Sequence, residues 1–253
     1  MTMTIPSITP SPLANLRDLG GIKAAAGRIR PGVIWRSDDI SLIDEDSALS
    51  LVDNGLHSVI DLRSFAEVNM TGRGVLGTHP VSYHHIPFMA SVKQSVTSLE
   101  EVLNQPRFEQ MYIRIFENAA PQIVTSLAII AHSPGTVAFH CAAGQDRTGV
   151  LAAALLLSVG VEEQDIVADY ALTGHNSAAI RDRLAPIMGP LMTEMGINLD
   201  QAARAALRTE FSPAPMIGLM SYLRRTYSDP LVPLKRAGLS DSLIAQLGAK
   251  VVI

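Results

Sequence analysis

Cysteine is almost absent from this chain: its 253 residues include one, Cys141. A lone thiol cannot close an intramolecular disulfide, so the fold draws nothing from an oxidising compartment and suits a reducing one. Charge of one sign is scarce as well. The formal net charge is −4 and no Lys/Arg-rich run occurs, whereas a nucleic-acid binder carries a basic surface to neutralise phosphates. Long apolar runs are missing too: the longest, 149–161, falls well short of the ~18 residues that suggest a membrane span. The opening stretch MTMTIPSITPSPLANLRDLGG has no basic residue before Arg17 and no apolar core, so it does not read as a secretory signal. These absences predict a soluble, cytoplasmic protein with no nucleic-acid partner and no stable membrane insertion.

What remains is the composition of a globular chain, 47% hydrophobic and 17% charged, without repeats or low-complexity tracts. Residues 1–13 are rich in Thr, Ser and Pro and predict a loose arm. Short β-branched or aromatic runs at 33–37, 57–64, 81–88 and 136–141, bounded by turn residues, predict strands. Helical patterns occupy 107–119, 121–132, 147–160 and 161–173. Strands alternating with helices imply an α/β fold with a mainly parallel or mixed sheet covered on its faces. Beyond Thr173 the strand signal stops. Residues 174–253 predict a helical extension of a single domain 1–253, broken by Pro and Gly at 186, 189, 190, 213 and 215. Met188, Met192 and Met195 lie close together there, as core filler or as part of a lid.

The one cysteine stands in FHCAAGQDRTGVLAAALLL, at the junction of a strand and a helix. Cys141, Ala142, Ala143, Gly144, Gln145 and Asp146 form a loop of mostly small residues that can turn successive N–H groups inward, a nest for an anion above a helix N-terminus. The helix dipole and the Arg147 guanidinium favour negative charge there, and hence thiolate over thiol. Arginine is suited to hold two phosphoryl oxygens through its planar fork. Thr148 could donate a hydroxyl hydrogen bond to the sulfur when it leaves. The other five fixed positions of H-C-x-x-G-x-x-R-[ST]-G would match by chance about once in a million cysteines. The stretch resembles the signature loop of the cysteine-dependent phosphatases. Rhodanese-type sulfur-transfer loops are the nearest rival but place four residues between Cys and Arg, against five here. A buried core cysteine is the plain alternative.

The motifs NLRDLGG (15–21), IWRSDD (34–39), VIDLRS (59–64), FEQMYIRI (108–115), DYALT (169–173) and KRAGLS (235–240) narrow the resemblance. They are similar to those of the bacterial tyrosine/serine protein phosphatases, the family of the mycobacterial tyrosine phosphatase B. The resemblance implies a protein-tyrosine-phosphatase-like sheet flanked by helices, metal-free phosphomonoester hydrolysis without a cofactor, and a helical lid. It also implies substrates among phosphotyrosine, phosphoserine/threonine and phosphoinositides. Where the family loop usually carries Lys, this chain has Gln145, which removes a cation that would attract extra phosphates.

Protonating an alkoxide leaving group needs a general acid. No Trp-Pro-Asp segment exists to supply one, which leaves Asp146 in the loop, as in the resembled family, and Asp61 at a strand end. Asp146 has the alternative of capping the following helix, and Asp61 that of a structural partner. Arg17, Asp18, Arg36 and Arg63 are candidate supports or ion-paired scaffolding, and His140 is expected to orient the loop. His79, His84 and His85 do not converge as metal ligands, since neighbouring strand residues face opposite ways. The expectation is a tyrosine or dual-specificity phosphatase acting on a phosphorylated protein. A phosphatase of a small phosphorylated metabolite or phosphoinositide is the second reading, and a non-catalytic phosphoprotein-binding module the third.

Overall fold

Strand residues alternate between two apolar layers, and that alternation decides where the helices pack. The structure, a computed structural model, describes residues 10–88, 105–194 and 211–253. Its strands are β1 (Arg17–Asp18), β2 (Lys23–Ala24), β3 (Gly27–Arg28), β4 (Ile34–Ser37), β5 (Leu56–Asp61), β6 (Ser82–His85) and β7 (Thr136–His140). A five-stranded sheet runs in the order β1-β4-β7-β5-β6. β1 is antiparallel to β4, and the other pairings are parallel. β2 and β3 form a separate hairpin.

The helices are α1 (Glu45–Asp53), α2 (Phe65–Thr71), α3 (Gln105–Asn118), α4 (Ala120–His132), α5 (Asp146–Ser158), α6 (Glu163–Ala171), α7 (Ser177–Glu194), α8 (Ala214–Thr226), α9 (Val232–Arg236) and α10 (Asp241–Val251). Ile34, Ile60, Val137 and Phe139 join the larger core with residues of α3, α4, α5 and α8. Trp35, Val59 and Ala138, one register position away, join Ala48 and Leu51 of α1 on the other face. The chain is thus an α/β fold with a mixed sheet flanked by helices. α5 is buried on nearly every side, as its unbroken apolar sequence requires, and its N-terminus faces the carboxyl ends of the parallel strands.

The end of the chain is helical and packs on this body, α10 against α4 and α8 against α3. Reciprocal bonds between Arg28 and Ile253, each 2.9 Å, tie the last residue to β3. α7 differs from expectation by running through Pro186, Gly189 and Pro190. Each proline removes one N–H bond, which bends a long helix sooner than it ends one. The arm expected over 1–13 is described only from Pro10, and there it is held: Ser11 N donates to Leu42 O (2.8 Å) and Arg183 Nε to Ser11 Oγ (3.0 Å). The side chains of the methionine group at 188, 192 and 195 fall outside the described residues. So does Lys93, with the rest of 89–104.

Candidate active site

Parallel strands end together, so whatever follows each strand meets at one edge of the sheet. Here β4 ends before Asp38 and Asp39, β5 at Asp61, and β7 at His140, just before Cys141, with Ser37 and Asp61 both in register with His140. From Cys141 the chain turns through 142–145 into α5. The loop carbonyls are tied outward. Asp39 N donates to Ala142 O (2.9 Å), Asn15 Nδ2 to Ala143 O and Gly144 O (3.2 Å each), and Arg36 Nη2 to Gly144 O (3.0 Å). With those carbonyls pulled back, the N–H groups from Ala142 to Thr148 find no protein acceptor among the described residues. That leaves a row of donors beside a helix N-terminus, an arrangement suited to an anion.

Gly144 makes the turn possible. Its φ is +68°, and a Cβ there would lie 2.5 Å from Ser37 O and 2.6 Å from Asp38 N. The position needs both the left-handed conformation and the missing side chain.

Arg147 is buried and paired to Glu67 of α2 in a fork: Nη1 donates to Oε2 at 2.6 Å and Nη2 to Oε1 at 2.8 Å. Glu67 is positioned by a capping box, in which Ser64 N donates to Glu67 Oε2 (2.7 Å) and Glu67 N to Ser64 Oγ (3.3 Å). Burial pushes the Glu67 carboxyl up, but the hydrogen bonds and charge of Arg147 outweigh it and hold the pKa down at about 2. The pair fixes the guanidinium in one plane, with Cys141 and Asp146 near enough for their charges to act on it.

Asp146 is the first residue of α5, and the N-cap position is Gln145, which makes no side-chain cap bond. Asp146 therefore does not cap the helix. Its Oδ1 accepts from the Tyr112 hydroxyl at 2.6 Å. Burial raises its pKa, with the Tyr112 hydrogen bond and the Arg147 charge opposing, so protonation is favoured beyond the ordinary carboxylate range. Thr148 Oγ1 is fully buried with no hydrogen-bond partner among the described residues. An orphan hydroxyl one residue past the arginine costs stability unless something else engages it.

Asp61 is placed differently. It accepts from Arg63 N (3.0 Å), Arg63 Nη2 (2.6 Å) and the Tyr83 hydroxyl (2.8 Å), and is fully buried. Burial pushes its pKa up, yet the opposing charges of His140 and Arg63 and the Arg63 hydrogen bonds bring it below the usual range. Burial lowers the pKa of His140 itself, so at neutral pH the imidazole is uncharged and Arg63 is the partner that matters. Asp61 thus has no proton to give near pH 7. Arg63 also reaches Asp39 Oδ2 (2.7 Å) and Gly72 O (2.9 Å), forming scaffold under the loop. His140 Nδ1 lies 3.2 Å from Cys141 O.

Arg17 acts at one remove, bonding Asn15 Oδ1 (2.7 Å), Asp169 Oδ1 (2.9 Å) and Thr173 Oγ1 (3.2 Å). Arg36 Nη1 meets the other oxygen of Asp169 at 2.5 Å. Asp18 does not join them: strand alternation turns it outward, where it accepts from Gly20 N (2.8 Å) and Gly32 N (2.5 Å) of two separate turns. Of the histidines, His79 bonds Glu45 on the surface (2.9 Å) and His85 Nε2 lies 2.8 Å from Arg63 O.

Sequence reasoning missed Glu67, Asn15, Asp169 and Tyr112 as parts of the site. Asn15, Tyr112 and Asp169 stand in motifs quoted above that gave them no role, and Glu67 carried the S-x-x-E pattern of Ser64 and Glu67 before a helix. No helix among the described residues is long and apolar enough to cross a membrane.

The chain is similar to known proteins. A protein of Cupriavidus necator named as a tyrosine-protein phosphatase is 27% identical over 213 residues, covering 76% of each chain. The triple specificity protein phosphatase PtpB of Mycobacterium tuberculosis is 25% identical over 204 residues, 69% of this chain and 71% of that protein. The crystal structure of P. aeruginosa TpbA in complex with phosphotyrosine covers 82% of this chain and 100% of its own at 14% identity, with a TM-score of 0.32. The model of the tyrosine phosphatase family matches residues 9–252. That match takes in the loop, the strands that carry it and the helical end, and the chain therefore belongs to the tyrosine phosphatase family and is a phosphatase.

Proposed function

We propose that the protein hydrolyses phosphomonoesters, foremost phosphotyrosine in proteins, through a phosphoenzyme at Cys141. In the first step the thiolate attacks phosphorus, the ester P–O bond breaks, and the proton of Asp146 goes to the departing oxygen. In the second step water attacks, its proton returns to Asp146, and the P–S bond breaks to free phosphate and thiolate. The N–H row from Ala142 to Arg147 holds the phosphoryl oxygens, and the Arg147 fork follows them through the transition state. His140, Arg63, Asp61 and Arg17 act as supports through the loop backbone. The chemistry asks for neither metal nor cofactor, and the single cysteine and unremarkable surface charge suit an enzyme of the cytoplasm.

The observation that carries this reading is the row of N–H groups, without a protein acceptor among the described residues, leading from Cys141 to an arginine already oriented by Glu67. Cys141→Ser should abolish turnover of a generic aryl phosphate while phosphate or vanadate still binds, and metal chelators should leave the wild type unaffected. Wild-type-like turnover in that variant would sink the mechanism. Binding without turnover in the wild type would favour a non-catalytic phosphoprotein-binding module.

Substrate class is tested by kcat/KM across phosphopeptides, nucleotides, sugar phosphates and phosphoinositides. Phosphotyrosine peptides should lead. Gln145 offers no charge at the loop rim, so polyphosphorylated inositol headgroups should rank below singly phosphorylated substrates. The reverse order would place lipid recognition on charges elsewhere.

A further inference from the structure

Two motifs noted in the sequence, FEQMYIRI and DYALT, have no part in the chemistry above, yet their tyrosines meet beside the loop. Tyr112 of α3 is fully buried and donates to Asp146 Oδ1 at 2.6 Å. A phenol has one proton, and that one is committed. In the 2.7 Å contact between the two hydroxyls, Tyr170 must therefore be the donor to Tyr112. Tyr170 in turn accepts from Gln145 Nε2 at 3.4 Å. Gly149 lets this happen: a Cβ there would lie 3.1 Å from the Tyr170 ring, so its absence allows the ring to lie against α5.

We infer that Tyr112 and Tyr170 are positioning residues for the acid step, forming a one-way hydrogen-bond relay from Gln145 through Tyr170 and Tyr112 to the Asp146 carboxyl. The inference rests on Asp146 being the general acid. When Asp146 releases its proton, the O–H electron pair stays on the carboxyl and charge grows there. A donor already aimed at that oxygen stabilises the charge without reorganisation, and successive donors polarise one another. Tyr112 keeps its own proton throughout, because burial and the neighbouring carboxylate push its pKa well up. Acting directly on Asp146 are Arg147, backed by Glu67 of α2, and Tyr112 of α3; beyond them Cys141 of the loop acts on Arg147, and Arg36 of β4, with Asp169 against it, acts on Tyr170 of α6.

The test is the pH profile of kcat/KM for Tyr112→Phe on an alkyl phosphate and on an aryl phosphate with an acidic phenol. Losing a donor to the ionised carboxyl makes Asp146 harder to ionise, so the basic limb should move up by about one pH unit. Lost aim should cost about tenfold on the alkyl substrate and under about threefold on the aryl one. Tyr170→Phe, which keeps the direct bond to Asp146, should show a smaller shift of the same sign and guards against misfolding of the first variant. In an Asp146→Asn background both tyrosine effects should vanish. If Asp146→Asn removes the basic limb but neither tyrosine variant moves it, the relay is wrong and the acid stands. If Asp146→Asn leaves the basic limb in place, both fail.

Discussion

At the scale of single residues, the informative position is Glu67, a carboxylate with no chemistry of its own that decides where Arg147 points. Arginine must engage two oxygens in one plane, and a guanidinium free to rotate loses part of that geometry. Glu67→Gln keeps the shape but accepts at only one oxygen, so one of the two bonds at 2.6 and 2.8 Å is lost. The expected result is a drop in kcat of about 10- to 100-fold, as for other small misplacements of catalytic groups. Inorganic phosphate should also bind less tightly. An unchanged kcat would mean that substrate phosphate alone orients Arg147. A second consequence follows from its depressed pKa. The stability this carboxyl contributes is present above its unfolded value, near 4.5, and is lost as pH falls toward about 2. Urea midpoints of wild type and Glu67→Gln should accordingly converge across that window.

At the scale of elements, α6 joins the loop to the acid. Asp169 takes Arg17 and Arg36, and Arg36 holds Gly144 O. Its neighbour Tyr170 leans on α5 over Gly149. Gly149→Ala would place a methyl 3.1 Å from that ring, tighter than ordinary contact, and α5 is too well packed to retreat. The ring must shift and drag its hydroxyl from Tyr112. Alkyl-phosphate turnover should fall more than aryl-phosphate turnover, with a Tm loss consistent with about 1–3 kcal/mol of overpacking. Equal losses on both substrates would show that the ring position does not reach Asp146.

The same elements show what the sequence could and could not tell. Runs such as TVAFHC are local and strongly patterned, so β4, β5, β6 and β7 and the loop after β7 were legible. β1 is two residues long and is defined by its partner alone. α1 and α2 are only nine and seven residues long, too short for a helical period to stand out in the sequence. Tyr112 and Tyr170 lie 34 and 25 residues from the positions they bond at the loop, a relation that exists only once three helices have packed.

At the scale of the whole molecule, buried carboxylates gather at one edge of the sheet, each with a cationic partner, and the partly buried Asp146 beside them has none. Asp38 has Arg183 (2.6 Å), Asp39 and Asp61 share Arg63, and Asp169 shares Arg17 and Arg36. Asp146 is held by a phenol, not by a salt bridge, and burial raises its pKa. A carboxyl whose folded pKa is raised contributes stability below its unfolded value, near 4, and that contribution is lost as pH rises through the folded pKa. As pH rises through the folded pKa the ionised form therefore burdens the fold. Asp146→Asn keeps an acceptor for Tyr112 and removes the charge. The margin by which the variant is more stable than wild type should widen as pH rises above about 4, while its activity on alkyl phosphates falls. Urea unfolding at several pH values measures the margin directly. A margin that is constant or shrinks with pH would mean that the dipole of α5 and Arg147 already compensate the charge on Asp146, and that the acid is held at no cost to the fold.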